Sequence, residues 1–520
     1  MTSAMSTAET AQVTFTRVAY TREHSDGADS FDTAAPAFVM ESRPMSRTSR
    51  MRTIASVAML LAPAAAQAQQ TPLSEILPVL LGNAITLQPS HLPDQPNHVA
   101  HFQPGTDQLK VPAQMNEAVL TLLSTYPIGT PGGGFTYMFD PALGTLTRTS
   151  DSFGPSFAER ALTTGRGKVS VGFAYQHARY DTFEGLNLRQ RQIVFYVPHA
   201  DCCSPGSASD TMPDGSRLTP PFEGDLIDAG LDLQLVSDTS TVFVTYGISN
   251  RFDVGVAVPF VRVTVDANVL ARIERLATAA DPTIHSFEGP NPDQHVFSMA
   301  GSAAGLGDIF LRAKYRVPAG PLGVAAVVET RVPTGDENNL LGTGGMQTRV
   351  LGVLSVDRGR LSPHLNLGYT FSGKGALFGA TMHDEVLATA GGDLAVTSRV
   401  TMSFDVLGRT LLDAGRMRLT EKTFEFTTSG GAASGGTGGG GGGTGGGGSG
   451  GGRPTPAAVQ SVNRTELQFF RGNLQLYLGA AGVRFNPLRN VVVSANLLFP
   501  LTKAGLRDRV TPEIGIDYVF

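Results

Sequence analysis

Residues 509–520 read RVTPEIGIDYVF. Taken two at a time, one face carries Val510, Pro512, Ile514, Ile516, Tyr518 and Phe520, and the other Thr511, Glu513, Gly515, Asp517 and Val519. This is the alternation of a β-strand with one apolar face. Alone, it fits a half-buried strand of a soluble sheet. It decides the fold only if the chain repeats it.

The chain does repeat it. KVSVGFAYQ (168–176) places Val169, Val171, Phe173 and Tyr175 on one side. RFDVGVAVPF (251–260) alternates Phe252, Val254, Val256, Val258 and Phe260 with Asp253, Gly255, Ala257 and Pro259. GDIFLRAKYRV (307–317) and LGVAAVVETRV (322–332) do the same, as do 400–406, 474–480 and 491–499. Three observations point to a membrane barrel and not a sandwich. The strands approach the ~9–11 residues that a tilted strand needs to cross the hydrocarbon layer. The faces opposite the apolar ones carry Asp308, Arg312, Lys314, Glu329, Arg331, Asp405 and Glu513 among Gly and Ala, which suits a wet lumen. Connections also sort by parity: 248–251, 318–321, 357–360, 396–399 and 486–490 are short, while 266–305, 333–345, 373–383 and 411–465 are long, with 502–507 an exception. Short turns on one side and long loops on the other are what an outer-membrane barrel requires.

Composition agrees. The chain has 520 residues with 40 basic and 45 acidic groups, a net charge of −5, so no nucleic-acid footprint is present. Only 16% of residues are charged, and no apolar run reaches the length of a membrane helix. Arg47, Arg50 and Arg52 precede the apolar run Ile54–Ala66 and the small-residue site Ala66-Gln67-Ala68. That pattern marks 45–68 as a signal peptide, and 1–44 as an unstructured upstream extension. Residues 69–125 form an irregular N-terminal segment and a possible plug. Within it Thr71, Pro72 and the spacing of Leu73, Ile76, Leu77 and Leu80 predict a helix that Pro78 kinks or ends. Residues 126–520 are expected to be an all-β transmembrane antiparallel barrel of about fourteen strands. The count falls to twelve if GGFTYMFD (133–140) with LTRTSDSFGPSFAERA (146–161) is not a membrane hairpin. The Gly-rich tract 429–452 is read as a disordered outer loop.

The stretches YGISNRFDVGVAVPFV (246–261), GLGDIFLRAKYRV (305–317) and ETRVPTGDENNLLGTGG (329–345) resemble the outer-membrane channel family linked to the meta-pathway of phenol degradation. More distantly, the strand count and the N-terminal segment resemble the long-chain fatty-acid transporters of the outer membrane. The resemblance implies a Gram-negative outer-membrane location and passage of hydrophobic molecules. It also implies that the barrel-assembly machinery reads the terminal Phe520.

The candidate residues follow from the barrel. Arg312, Lys314, Arg316, Glu329 and Arg331 line the lumen, either as a charged ring that tunes permeation or as cross-strand ion pairs. Phe252, Tyr315, Tyr518 and Phe520 belong to membrane-rim girdles, and with no Trp in the chain, Tyr and Phe must supply them all. Adjacent Cys202 and Cys203 form a strained loop disulfide or an inert thiol pair, a soft-metal site being the weaker alternative. PTGDENN (333–339) offers oxygen ligands without calcium-loop spacing. No hydrolase elbow occurs, so no catalytic residue, cofactor or metal is assigned. The reading is a non-enzymatic channel for small, hydrophobic or aromatic substrates, in contact with outer-membrane lipid. A structural or adhesive barrel using its long loops, or a barrel lipid hydrolase, is the alternative.

Overall fold

The structure is a computed structural model that describes residues 71–82, 84–88, 102, 106–129, 137–140, 145–148, 150–198, 225–276, 285–318, 322–373, 376–377, 380–428, 458–488 and 490–520. The extension 1–44, the signal peptide 45–68, the Gly-rich tract 429–452 and the pair Cys202–Cys203 lie outside the described residues.

Twelve antiparallel strands close into a barrel: β1 Val169–Phe183, β2 Leu226–Ser249, β3 Phe252–Glu274, β4 Ile309–Val317, β5 Gly323–Val332, β6 Gln347–Ser355, β7 Leu361–Ser372, β8 Glu385–Thr397, β9 Val400–Leu411, β10 Leu474–Leu488, β11 Val491–Pro500 and β12 Thr511–Val519. Each pairs with its neighbour in sequence. β1 pairs with both β2 and β12, from Ser170↔Val519 to Gln176↔Glu513 on the seam, so the ring has no open edge. Closure is what a sheet in hydrocarbon needs, because lipid offers no partner to an unpaired backbone group. The loops sort as expected. Connections at one end are as short as Asn250–Arg251, while those at the other include 184–225 and 412–473.

Along the terminal strand the alternation is literal. Ile514, Ile516 and Tyr518 are exposed at 58%, 47% and 41%, whereas Thr511 and Glu513 are buried at 0% and 4%. Exposed apolar side chains continue around the ring at Phe173, Leu311, Val328, Val350, Leu367, Phe404, Val483 and Val493. A belt of this extent, with polar groups turned inward, is stable only against acyl chains.

The tall strands show where the belt ends. On β3, outward Phe252 to Phe260 give way to Arg262, Thr264, Asp266 and Asn268. The inward residues simultaneously become Val263, Val265, Ala267 and Val269, all buried. β2 inverts at the same level, with Leu231, Leu233 and Leu235 inward. Asp238 of β2 is in register with both His177 and Arg262, forming a charged row, and it accepts from the His177 ring at 2.7 Å and from Tyr175 Oη at 2.7 Å. Eight residue steps from Phe252 to Phe260 span about 26 Å along the strand. At a tilt of about 40° this rises about 20 Å, most of the ~25 Å apolar band of an outer-membrane barrel. Above the row the wall stands in water, and its apolar side needs an internal partner.

Two helices supply it. α1 (Ile76–Gly82), entered through the 3-10 turn Leu73–Glu75, and α2 (Thr106–Ser124) bury Leu73, Ile76, Leu77, Leu80, Met115, Val119, Leu120 and Leu123 in one cluster with the inverted faces of β2 and β3. Pro78 does not end α1. It sits in the first turn, where its missing N–H has no helical partner to lose.

The expected hairpin within 133–161 is corrected. Tyr137–Asp140 and Thr145–Arg148 pair only with each other, in a separate two-stranded sheet. Residues 150–164 are not a strand; nearly all are buried inside the barrel at its short-turn end. The barrel therefore has twelve strands, the lower of the two counts. The physical reason is local. Glu159 and Arg160 are adjacent, and successive strand residues face opposite sides, so a membrane strand would turn one of these charges into lipid.

Candidate functional site

The lumen is the candidate site, and the segment Ser150–Thr164 shapes it. An aperiodic chain inside a barrel must find hydrogen-bond partners for its backbone, and the inward side chains of the strands provide them. Phe153 N donates to Thr401 Oγ1 (3.0 Å), Glu159 N to Asn366 Oδ1 (2.8 Å), Ala161 N to Ser355 Oγ (3.0 Å) and Thr164 N to Asp253 Oδ2 (2.8 Å). In return Asn366 Nδ2 donates to Glu159 O (2.9 Å) and Arg484 Nη1 to Phe153 O (2.8 Å). Ser156 Oγ donates to Asn496 Oδ1 at 2.8 Å. Partners from β3, β6, β7, β9, β10 and β11 thus grip one short segment.

Charge fixes its centre. Glu159 accepts from Lys314 Nζ at 3.1 Å and pairs with Arg312. Burial raises the Glu159 carboxyl, but Arg312 and Lys314 outweigh it and hold the group below the ordinary carboxylate range. Arg160 next to it is lowered by desolvation, with Asp393 and Asp357 at 4.0 and 3.8 Å countering. Of the sequence candidates, Arg312, Lys314, Glu329 and Arg331 are thus brought together on the inner faces of β4 and β5. Glu329 is in register with Arg312. Arg331 is buried and stacks over the Phe310 ring at 4.8 Å. Arg316 stands apart from this group, at the short-turn end of β4, where its N–H donates to Arg251 O. Phe252 and Tyr315 are register partners at that same end, and the rings of Tyr518 and Phe520 meet there edge to face, 4.7 Å between centroids.

Above the segment lies a cavity of about 980 Å³. Phe157 and Glu159 reach it from the segment, Thr125–Gly129 from the chain beyond α2, and Phe243, Phe310, Arg331, Arg349, Leu387 and Arg409 are among its wall residues. Arg409 forks onto Glu385 at 2.5 and 3.2 Å and donates to Thr125 O at 2.7 Å. A second cavity, of about 580 Å³, shares Tyr126, Ile128, Phe310 and Arg331 with the first. A third, of about 730 Å³, lies at the long-loop end between α2 and Phe183, Met417 and Phe469. Tyr126 donates to or accepts from Thr511 Oγ1 at 2.9 Å, and burial pushes its phenol up to about 12.

The loop 333–346 folds inward beside the second cavity, burying Leu340 and Leu341. Asp308 is its lock. Oδ2 accepts from Thr343 N (2.8 Å) and Oγ1 (2.7 Å), and Oδ1 from Gly335 N (3.1 Å). A Cβ on Gly342 would stand 2.5 Å from Asp308 Oδ1, so glycine is needed for this approach. The stretches GLGD and PTGDENNLLGTGG are therefore two halves of one structure. Asp336 is used within its own turn, accepting from Asn338 N (3.0 Å) and Asn339 Nδ2 (2.7 Å). Glu159, Arg349, Glu385, Arg409 and Arg484 were not singled out from sequence. For Glu159 the adjacent Arg160, and Pro155 in a supposed central strand, were signals within reach. The others show only as inward positions of alternating strands.

A closed twelve-stranded barrel with a lipid-facing belt and a filled lumen is an outer-membrane β-barrel protein. The family described as "Putative MetA-pathway of phenol degradation" matches residues 215–406, which bears out the resemblance read from the three motifs. Among solved structures, the chain is similar to the COG4313 outer membrane channel from Pseudomonas putida F1, at 12% identity and a TM-score of 0.38, covering 69% of this chain and 98% of that one. It is also similar to a Pseudomonas aeruginosa FadL homologue, at 11% identity, a TM-score of 0.26, and 68% and 88% coverage. The translocator domain of the autotransporter NalP from Neisseria meningitidis matches at 11% identity, a TM-score of 0.27, and 68% and 89% coverage. No curated protein matches the chain.

Proposed function

We propose that the chain is an outer-membrane channel through which small hydrophobic or aromatic molecules pass without a chemical step. The observation that carries the reading is the partly open cavity of about 980 Å³ in mid-barrel, walled by Phe157, Phe243, Phe310, Leu351, Leu387 and Leu407 and floored by a segment outside the sheet. A purely structural barrel gains nothing from an unfilled chamber, since filling it would add packing energy. Sites for small ligands have this character: mostly apolar walls with a few placed polar groups. In this reading a molecule enters from the long-loop end, past α2 and the third cavity, and rests above Glu159. Leaving toward the periplasm requires 150–164 to shift, because the segment is bonded to the wall and not continuous with it.

The test is uptake by Gram-negative cells that lack their general porins, with and without this chain, using radiolabelled naphthalene at limiting concentration. The chain should raise the initial rate several-fold, and Phe310→Glu, which puts a charge in the apolar wall, should cancel most of the gain. Equal rates with and without the chain would overturn the reading.

A further inference from the structure

The wall of the central cavity is not electrically balanced. Four arginines line it, Arg312, Arg331, Arg349 and Arg409, against two carboxylates, Glu159 and Glu329. Behind the wall, Glu385 is engaged by the fork of Arg409. Glu159 is held by Arg312 and Lys314, and Glu329 lies 3.5 Å from Arg312. Arg349 is served differently. Its Nη1 donates to Glu329 at 3.4 Å, about as far as Arg312 lies from the same carboxylate, its Nη2 stands 4.0 Å from Glu385, and its side chain is 28% exposed where those of Arg312 and Arg409 are 9%. Its Nε donates to Thr370 Oγ1 at 3.3 Å, which fixes the plane of the guanidinium. A cation so placed, with rings of Phe157, Phe243 and Phe310 in the same wall, offers an anion both charge and an apolar bed.

We infer that the central cavity binds a small aromatic carboxylate, with the carboxylate on Arg349 and the ring among Phe157, Phe243 and Phe310. The guanidinium fork matches a carboxylate in two parallel hydrogen bonds, which a neutral alcohol of the same shape does not reproduce. This inference rests on the reading of the lumen as a path for aromatic molecules and names which of them the path retains.

The test is a fluorescence-anisotropy titration of the purified full chain in nonionic micelles, with empty micelles subtracted. The probes are 2-naphthoate and its neutral analogue 2-naphthalenemethanol. The chain contains no Trp, so naphthyl emission is read without that overlap. Naphthoate should bind about tenfold more tightly than the alcohol, the scale of one charge-assisted pair. Arg349→Gln should remove that difference while leaving alcohol binding within twofold. Arg349→Lys should restore most of it, and both variants should keep the wild-type shift on an unheated gel, which reports the intact barrel. Equal binding of the two probes by the wild-type chain, or an undiminished preference in Arg349→Gln, would overturn the carboxylate site and leave the channel reading standing. Binding of neither probe would overturn both.

Discussion

The Glu159 carboxylate holds two cations from β4, while its backbone N–H and C=O exchange two hydrogen bonds with the Asn366 side chain of β7, so this one residue ties the lumen segment to two parts of the wall. Removing one partner of a buried ion pair leaves an uncompensated charge and costs about 3–5 kcal/mol. Glu159→Gln should therefore loosen the segment and raise single-channel conductance several-fold in a planar bilayer; unchanged conductance would mean the remaining bonds suffice. Acid should act likewise, and the sign follows from the shift. The folded carboxyl lies below its ordinary value of 4.5. Its contribution is complete above that value and is lost as pH falls through the lower, folded one. The conductance difference between wild type and Glu159→Gln should thus hold from neutral pH down to about 5 and close only in stronger acid. Asp308 is the second lever. Asp308→Ala removes the acceptor of three hydrogen bonds of a kind worth about 1.5–3 kcal/mol each. The loop 333–346 should then be cut after Glu337 by a glutamyl endoprotease on intact cells at least fivefold faster, with the barrel preserved. An unchanged rate would show that the loop does not depend on this lock.

At the scale of the strand, alternation carries the account, and its inversion marks the membrane boundary. Ile514 faces acyl chains, so Ile514→Lys should lower folding stability in lipid vesicles by about 2–4 kcal/mol. Asp232, above the charged row of β2, faces water, and Asp232→Lys should change stability by less than about 0.5 kcal/mol. Similar losses at both positions would mean the boundary is misplaced. These elements also show what could be read from sequence alone. Phe252–Phe260 and Ile514–Phe520 were legible because membrane strands have one simple rule, apolar outward, and the loop parity followed. Residues 150–161 misled because Phe153 and Phe157 share a face at strand spacing, although Gly154-Pro155 between them removes a ladder N–H and argues against a central strand. The packing of α1 and α2 was illegible for another reason. Val263, Val265 and Ala267 look the same whether their greasy side meets lipid or a helix, and only the level of the bilayer distinguishes the two. The cavity was hidden most completely. Arg349, Glu385 and Arg409 come from three strands, and no local pattern reports that they meet.

Taken as a whole, the molecule is a closed ring with lipid outside, a bonded segment at the short-turn end of its lumen, and helices lodged within its tall water-exposed wall. Each part requires the others. The ring must close because hydrocarbon satisfies no backbone group, and the inward polar side chains this demands are what hold the segment. The wall rises beyond the bilayer, and its apolar inner face is covered by α1 and α2. Every functional statement depends on which side of β12 the lipid lies. The direct test is power-saturation electron paramagnetic resonance on single spin labels at 511 to 518, after Cys202 and Cys203 are replaced by Ser, with the chain reconstituted in lipid vesicles. Labels at 512, 514, 516 and 518 should collide with dissolved oxygen and be shielded from a water-soluble nickel chelate, while labels at 511, 513, 515 and 517 should show low access to oxygen. Free access of the nickel chelate to 514 and 516 would place that face in water and contradict the barrel.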